Sequence, residues 1–247
     1  MRTNTHICVD KVSLVITSCG RIDLLKKTLD SFFEHNTHPI ERYIVTEDSG
    51  DRSVFEECNK LNESYDNIIE FVFNYEKLGQ TKSIDKAYSK IITPYVFHCE
   101  DDWEFYRGGF IEKSLMVLKS CPSILQCWIR PASDGHLNHI AKKCFETPGG
   151  VPYRKVLPVS FFTGRKTQSG DREIVRDYMG FSFNPGLKRM SDYHSLGSGG
   201  YHSLGQEHLI DHHYRDLGYS VVSLSIDNTD GFVRHIGQNR HVENTVF

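Results

Sequence analysis

The sequence predicts an α/β protein built on a parallel sheet with helices on both faces, and three observations carry that prediction. Short β-branched or apolar runs alternate with stretches whose apolar residues recur at helical spacing. Polar clusters follow three of these runs, and in sheets of this kind ligands bind at the carboxyl ends of the strands. No Pro-, Gly- or Ser-rich linker divides the 247 residues, so one domain over 1–247 is expected.

Val12 to Thr17 reads as the first strand. Arg21 to Glu34 follows as a helix, with Ile22, Leu25, Leu29, Phe32 and Phe33 on one side. Tyr43 to Thr46 gives a second strand and Val54 to Leu61 a second helix. Ile68 to Phe73 is a third strand, Thr81 to Lys90 a helix, and Tyr95 to Cys99 a fourth strand. Such βα repeats imply right-handed crossovers. Beyond them, Phe110 to Leu118 reads as a helix and Ile124 to Ile129 as a strand, while 131–155 is a long Pro-, Gly- and polar-rich excursion. Gly180 to Leu187 reads as a strand running into a turn. A short duplication, Tyr193-His-Ser-Leu-Gly197 and Tyr201-His-Ser-Leu-Gly205, reads as a flexible loop. It leads into a helix over Gln206 to Leu217 and a strand over Tyr219 to Ser225, and 184–203 is expected to order over a bound ligand.

The strand-end clusters carry the chemistry. They are Thr17-Ser18-Cys19-Gly20-Arg21, Glu47-Asp48-Ser49-Gly50-Asp51 and Glu100-Asp101-Asp102-Trp103. Three consecutive acids at the end of a buried strand repel one another and are costly to bury unpaired. A hard divalent cation, Mg²⁺ or Mn²⁺, relieves that cost and can in turn hold a diphosphate. An enzyme acting on a phosphorylated donor is therefore expected.

Bulk composition removes other classes. Hydrophobic content of 38% and charged content of 25% are ordinary for a globular protein. A net charge of −3 with no basic run gives no reason to expect nucleic-acid binding. The apolar runs are strand-sized, far short of a membrane span, and Met-Arg-Thr-Asn-Thr-His lacks a signal-peptide core. Seven scattered cysteines without a CxxC pair read as reduced thiols in a cytoplasmic setting.

In their order and spacing, Val12 to Arg21, Glu47-Asp48-Ser49, Asn74 through Ala87 and Glu100 to Trp103 resemble the nucleotide-sugar-binding half of GT-A fold glycosyltransferases, especially the inverting family 2 type. Gly205-Gln206-Glu207-His208 resembles the segment carrying that family's catalytic base, and Phe232 to Gly237 the segment that returns a histidine to the metal. The resemblance implies a Rossmann-like nucleotide-binding half over roughly 10–130 and an acceptor-binding half over 131–247. It implies transfer of one sugar from a nucleoside-diphosphate donor to a hydroxyl of a glycan or glycoconjugate, with Mn²⁺ or Mg²⁺ as cofactor.

Residue by residue, the resemblance puts Thr17 and Cys19 in the nucleobase pocket and Asp48 on the base. Lys82 falls near the base or phosphates and Asp101 at the ribose or the metal's outer shell. Asp102 and His235 become metal ligands, Glu100 fills the first acidic place of a DxD-type motif, and Glu207 is the general base. The sequence departs from the family in Glu47-Asp48-Ser49-Gly50, where Asp-Asp-Gly-Ser is usual, and in Glu207-His208, where Glu-Asp is usual.

Plainer roles stand beside these. Trp103 is expected among the donor-binding residues, packing beside the sugar, or else to fill the core; likewise Glu207 could simply favour a helix dipole and Asp48 cap a helix. Arg21 pairs with Asp23 or with a phosphate, and thirteen histidines make a chance placement of His235 easy. Two other functions are open. His208-Leu-Ile-Asp211-His212 has the spacing of an inverted zincin motif with Asp for Glu, which would make a zinc hydrolase. The second is a GT-A-like carbohydrate-binding protein without catalysis.

Overall fold

A computed structural model describes residues 10–134, 140–166, 172–227 and 229–237. The first half runs β1 (Val12–Ser18), α1 (Ile22–His35), β2 (Ile40–Glu47), α2 (Arg52–Glu63), β3 (Ile69–Phe73), α3 (Gln80–Tyr88) and β4 (Tyr95–Glu100). β1 pairs in parallel with both β2 and β4, and β2 with β3. The chain thus lays β1, β2 and β3 outward in one direction, then returns to place β4 on the other side of β1. That reversal opens a crevice between β1 and β4 at the strands' carboxyl ends. The register pairs Thr17 with both Thr46 and Glu100, so all three polar clusters emerge at one height.

Both faces of this sheet are covered, which is why its strands read as nearly continuous apolar runs. Val12, Leu14, Ile16 and Phe97 pack beneath α1 and α4 (Phe110–Ser120), against Leu25, Leu29, Phe32 and Phe110. The Phe32 ring lies 5.9 Å from that of Phe97 and 5.3 Å from that of Phe105. Truncating so central a ring to alanine costs about 3–5 kcal/mol. On the opposite face Val15, Ile44 and Val96 meet Ile84 and Tyr88 of α3, together with Tyr201, Ile210 and Tyr214.

After β4 come the short β5 (Trp103–Phe105), α4 and β6 (Ile124–Trp128), then β7 (Ile140–Glu146), β8 (Pro152–Val156), β9 (Val159–Lys166) and β10 (Arg172–Tyr178). β11 (Gly186–Arg189) joins the main sheet antiparallel to β4. α5 (Met190–His194), a 3₁₀ turn (Gly197–Gly199), α6 (Gly200–Leu204) and α7 (Glu207–Asp216) lead to β12 (Ser220–Ser223) and β13 (Val233–His235). A second sheet has the order β6-β12-β8-β7, and β9 and β10 form a hairpin. β13 runs antiparallel to β5, setting His235 opposite Trp103. No helix among the described residues is long and apolar enough to cross a membrane.

The architecture matches the predicted α/β class, and three local expectations are corrected. The 131–155 excursion contains strands β7 and β8. β7 is largely exposed, so no apolar run announces it. Within 180–187 only Gly186 onward is strand, and the stretch before it is held by side chains described below. The duplicated Tyr-His-Ser-Leu-Gly segments are folded into α5, the 3₁₀ turn and α6, and docked on α3. Asp85 accepts hydrogen bonds from the Tyr193 hydroxyl (3.0 Å) and from the amides of Tyr201 (2.9 Å) and His202 (2.8 Å). The Tyr88, Tyr193 and Tyr201 rings close the contact.

Candidate active site

The crevice between β1 and β4 is a cleft of about 300 Å³. Thr17, Ser18, Cys19, Arg21, Asp48, Lys77, Gln80, Ser83, Glu100, Asp101, Asp102 and His235 line it. It therefore gathers residues from all three strand-end clusters with one from the carboxyl-terminal segment.

Asp101 is fully buried. It accepts from Ser18 Oγ at 3.0 Å, from Arg21 Nε at 3.2 Å and, more closely, from Arg21 Nη2. Burial outweighs those partners and pushes its carboxyl up to about 6. Asp102, 6% exposed, pairs with Arg21 Nη1 at 2.8 Å and with His235 Nε2 at 3.2 Å. Burial raises its pKa, but the bonds from His235 and Arg21 hold it below the usual carboxylate range, and the same bond raises His235. Gly237 closes over this acid: a Cβ there would meet Asp102 Oδ2 at 2.3 Å. Glu100 accepts from Gln80 Nε2 at 3.0 Å and Trp103 Nε1 at 3.4 Å. Burial, then the neighbouring charges of Asp102 and Glu207, push its carboxyl up to about 7.

On the β2 side Glu47 and Asp48 organise loops. Glu47, fully buried, accepts from the amides of Gly20 (2.9 Å) and Ser49 (2.8 Å), tying the end of β1 to the turn after β2. Asp48 accepts from Asn74 Nδ2 (2.9 Å) and the amides of Leu78 and Gly79 (both 2.8 Å). Its carboxylate therefore shapes the loop leading into α3, whose first residue follows Gly79 at φ +84°, a conformation that favours glycine. Burial and the Glu47 charge push the Cys19 thiol up to about 11, so it stays protonated.

Of the residues singled out in the sequence, Thr17, Cys19, Arg21, Asp48, Glu100, Asp101, Asp102 and His235 share the cleft. Trp103 does not line it. Buried beneath, it supports His235 with ring centroids 5.1 Å apart. Lys82 is exposed on α3 and is not among the lining residues. The lysine at the cleft is Lys77, on the loop that Asp48 holds. Ser18, Gln80 and Ser83 also line the cleft; each lies within a cluster or segment marked in the sequence, though none was singled out with a role.

Glu207 stands outside the cleft at the first turn of α7. It accepts from the Phe183 amide at 3.3 Å and from the Tyr178 hydroxyl at 3.4 Å. Burial raises its pKa, opposed by that amide, by Lys188, by Tyr178 and by Arg130. Asn184 bridges toward the acid cluster at the end of β4, donating to Glu100 Oε2 at 3.2 Å and accepting from Arg130 Nη1 at 3.1 Å. Arg130 in turn stacks on the Trp128 ring at 4.6 Å. Neither Arg130 nor Asn184 carries a sequence signal of its own.

The zincin-like spacing does not assemble a site. Asp211 accepts from the amides of Met179 (2.6 Å) and Phe181 (2.7 Å), a structural role. Among the described residues no group of three or more His, Cys, Asp or Glu is disposed to hold a metal by itself. At the cleft, the protein offers two ligands of suitable chemistry. Asp102 Oδ1 is buried without a hydrogen-bond partner among the described residues, and the His235 imidazole is adjacent. A carboxylate oxygen and an imidazole fit Mn²⁺, and phosphate oxygens and water commonly complete such a shell.

Solved structures share the fold. The chain aligns with the mannosyltransferase PcManGT from Pyrobaculum calidifontis, in complex with GDP-Man and Mn²⁺, at TM-score 0.64 and 12% identity. It aligns with GalNAc-T7 bound to UDP, GalNAc and Mn²⁺ at TM-score 0.60 and 13% identity, and with S. aureus TarS residues 1–349 at 0.59 and 12%. These alignments cover 94%, 93% and 92% of this chain, but only 58%, 44% and 60% of the other proteins. No curated protein sequence matches it. A model of glycosyl transferase family 2 does match, over residues 13–181. With its GT-A fold and a match across more than half its length, the chain belongs to glycosyl transferase family 2.

Proposed function

We propose that this chain is a metal-dependent, inverting glycosyltransferase moving a single sugar from a nucleoside-diphosphate sugar to a hydroxyl of a glycan or glycoconjugate. The observation that carries this reading is the acid cluster Glu100-Asp101-Asp102, set with Arg21 and His235 in the cleft at the sheet's switch point. Thr17, Cys19 and Asp48 border the nucleobase side. Arg21 and Lys77 supply positive charge within reach of the cleft. Asp102 and His235 would hold Mn²⁺ or Mg²⁺, which supplies Lewis-acid neutralisation of the departing diphosphate. Lys82, exposed on α3, would act on the nucleotide only from the cleft's outer edge.

Inversion needs one general base facing the sugar from the side opposite the leaving group, and Glu207 takes that role. Its carboxylate feels the charges of Glu100 and Arg130, yet does not line the nucleotide cleft. We read 1–247 as one such domain, with 10–130 binding donor and the remainder meeting acceptor. The six described cysteines are all free, which supports a reducing, cytoplasmic setting.

The test is diphosphate release from a panel of UDP- and GDP-sugars with mixed glycan acceptors, with Mn²⁺ or EDTA, followed by NMR of the product anomer. Release that requires metal and inverts the anomeric centre is expected. Metal-independent release, or retention, would overturn the corresponding half of the proposal. Failure with every donor, alongside specific glycan binding, would favour the non-catalytic reading.

A further inference from the structure

Lys188 has no part in the reading above, yet few features of the molecule are as costly. It is 3% exposed and forms no direct ion pair among the described residues. An ammonium taken out of water without a close counter-ion carries a large desolvation penalty. Its surroundings explain where it points. Lys188 lies opposite Val96 in the antiparallel pairing of β11 with β4, so it shares the face that carries Val96, His98 and Glu100. There it sits over the rings of Phe181 (5.5 Å) and Phe183 (5.9 Å).

Its ammonium donates to the Ser182 carbonyl oxygen at 3.0 Å, where Gln126 Nε2 also donates at 2.9 Å. The N–H of that same peptide group, on Phe183, donates to Glu207 Oε2 at 3.3 Å. Two donors pulling electron density from a carbonyl strengthen the N–H on its other side as a donor. The ammonium and the carboxylate are thus joined end to end through one peptide bond.

We propose that Lys188 is a positioning residue for Glu207, acting through the Ser182–Phe183 peptide group to fix its orientation and keep it ionised. This inference rests on the reading of Glu207 as the general base. Glu207 is also faced by Tyr178 from β10, Arg130 beyond β6 and Glu100 from β4, with His208 and Asp211 along its own helix. Of the two cations, only Lys188 is tied to it through the Phe183 amide. Burial draws the Lys188 ammonium down to about 7, and Glu207 and Glu100 hold it up.

The experiment is ¹³C NMR titration of the Glu207 side-chain carboxyl in protein labelled at glutamate, its resonance assigned by loss in Glu207→Gln. Lys188→Gln keeps a donor for the Ser182 carbonyl and removes the charge. It is expected to raise the Glu207 midpoint by about one pH unit, since a carboxylate deprived of a cation holds its proton more tightly. Lys188→Arg should leave the midpoint where it is. Equal midpoints in all three proteins would overturn the proposal, as would a wild-type Phe183 amide that does not titrate with Glu207. The amide measurement needs no variant to fold, and neither needs a donor. Failure of the base reading shows separately, as Glu207→Gln that turns over donor at the wild-type rate.

Discussion

The end of β4 and the start of α7 both take carboxylates out of water, and they compensate them by different means. At the end of β4, Asp101 and Asp102 meet their cations directly: Arg21 reaches both, and His235 joins Asp102. Around Glu207, Lys188 acts through a peptide group and Arg130 as a neighbouring charge. A direct ion pair suits a cleft whose polar ligand must find the acids already arranged. An indirect contact leaves a carboxylate able to accept a proton, which is what a base requires. On the proposed assignment of Glu207 as base, the difference teaches that charge compensation is tuned to the task of each acid, not to burial alone.

The comparison breaks most sharply at the base. Glu207→Gln should lower kcat by about 10²–10⁴-fold, the usual contribution of general-base catalysis, with diphosphate binding unchanged. A loss of binding without loss of kcat would assign Glu207 to the donor side. Next, Arg21→Met should destabilise the fold by about 3–5 kcal/mol at neutral pH, because it strands Asp101 and Asp102 as buried charges. Asp101 is already drawn up to about 6, so in the variant it protonates readily on acidification. The part of the deficit owed to Asp101, read as chemical-denaturation midpoints, should therefore shrink as pH falls toward about 6, where Asp101 of the wild type takes up its own proton; the unfolded chain titrates alike in both proteins and cancels. A deficit that stays constant with pH would mean that Arg21 acts by packing.

Glu100→Gln should have the opposite sign. A carboxyl raised to about 7 in the folded state binds its proton more tightly there than when unfolded, so its charge costs stability as pH rises through that range. Replacing it should stabilise the apo protein by about 1–3 kcal/mol above pH 7 and have little effect near pH 4. Thermal melts across pH check this, and a destabilised variant at pH 8 would refute it. The smallest effect is expected where α6 docks on α3. Asp85→Ala should cost about 1–2 kcal/mol and open 193–205 to protease, since three donors lose their acceptor. Unchanged nicking would mean that the tyrosine cluster alone docks this segment.

How much of this was legible depended on how local the signal was. The strands β1 and β4 declare themselves because both faces are buried, and Glu100-Asp101-Asp102 because consecutive acids at a strand end have few structural uses. Lys82 came from the family resemblance, and nothing in the sequence shows that the Asp48-held loop turns Lys77 to the cleft. The acceptor side was harder still. β7 is an exposed strand without an apolar run. Lys188 and Arg130 are unremarkable in sequence, and only the pairing of β11 with β4 and the loop after β6 bring their charges to bear on Glu207. The histidine spacing of α7 looked chemical and is not, because the backbone of Met179 and Phe181 claims Asp211.

The most direct test of the central claim is thermal stability against UDP, GDP and other nucleoside diphosphates, each with and without Mn²⁺, for the wild type and Asp102→Ala. A ligand bound only by the native state raises Tm by mass action. The account predicts that one diphosphate raises Tm only when Mn²⁺ is present, and that Asp102→Ala abolishes the shift. A shift of equal size without metal, or one that survives Asp102→Ala, would contradict it.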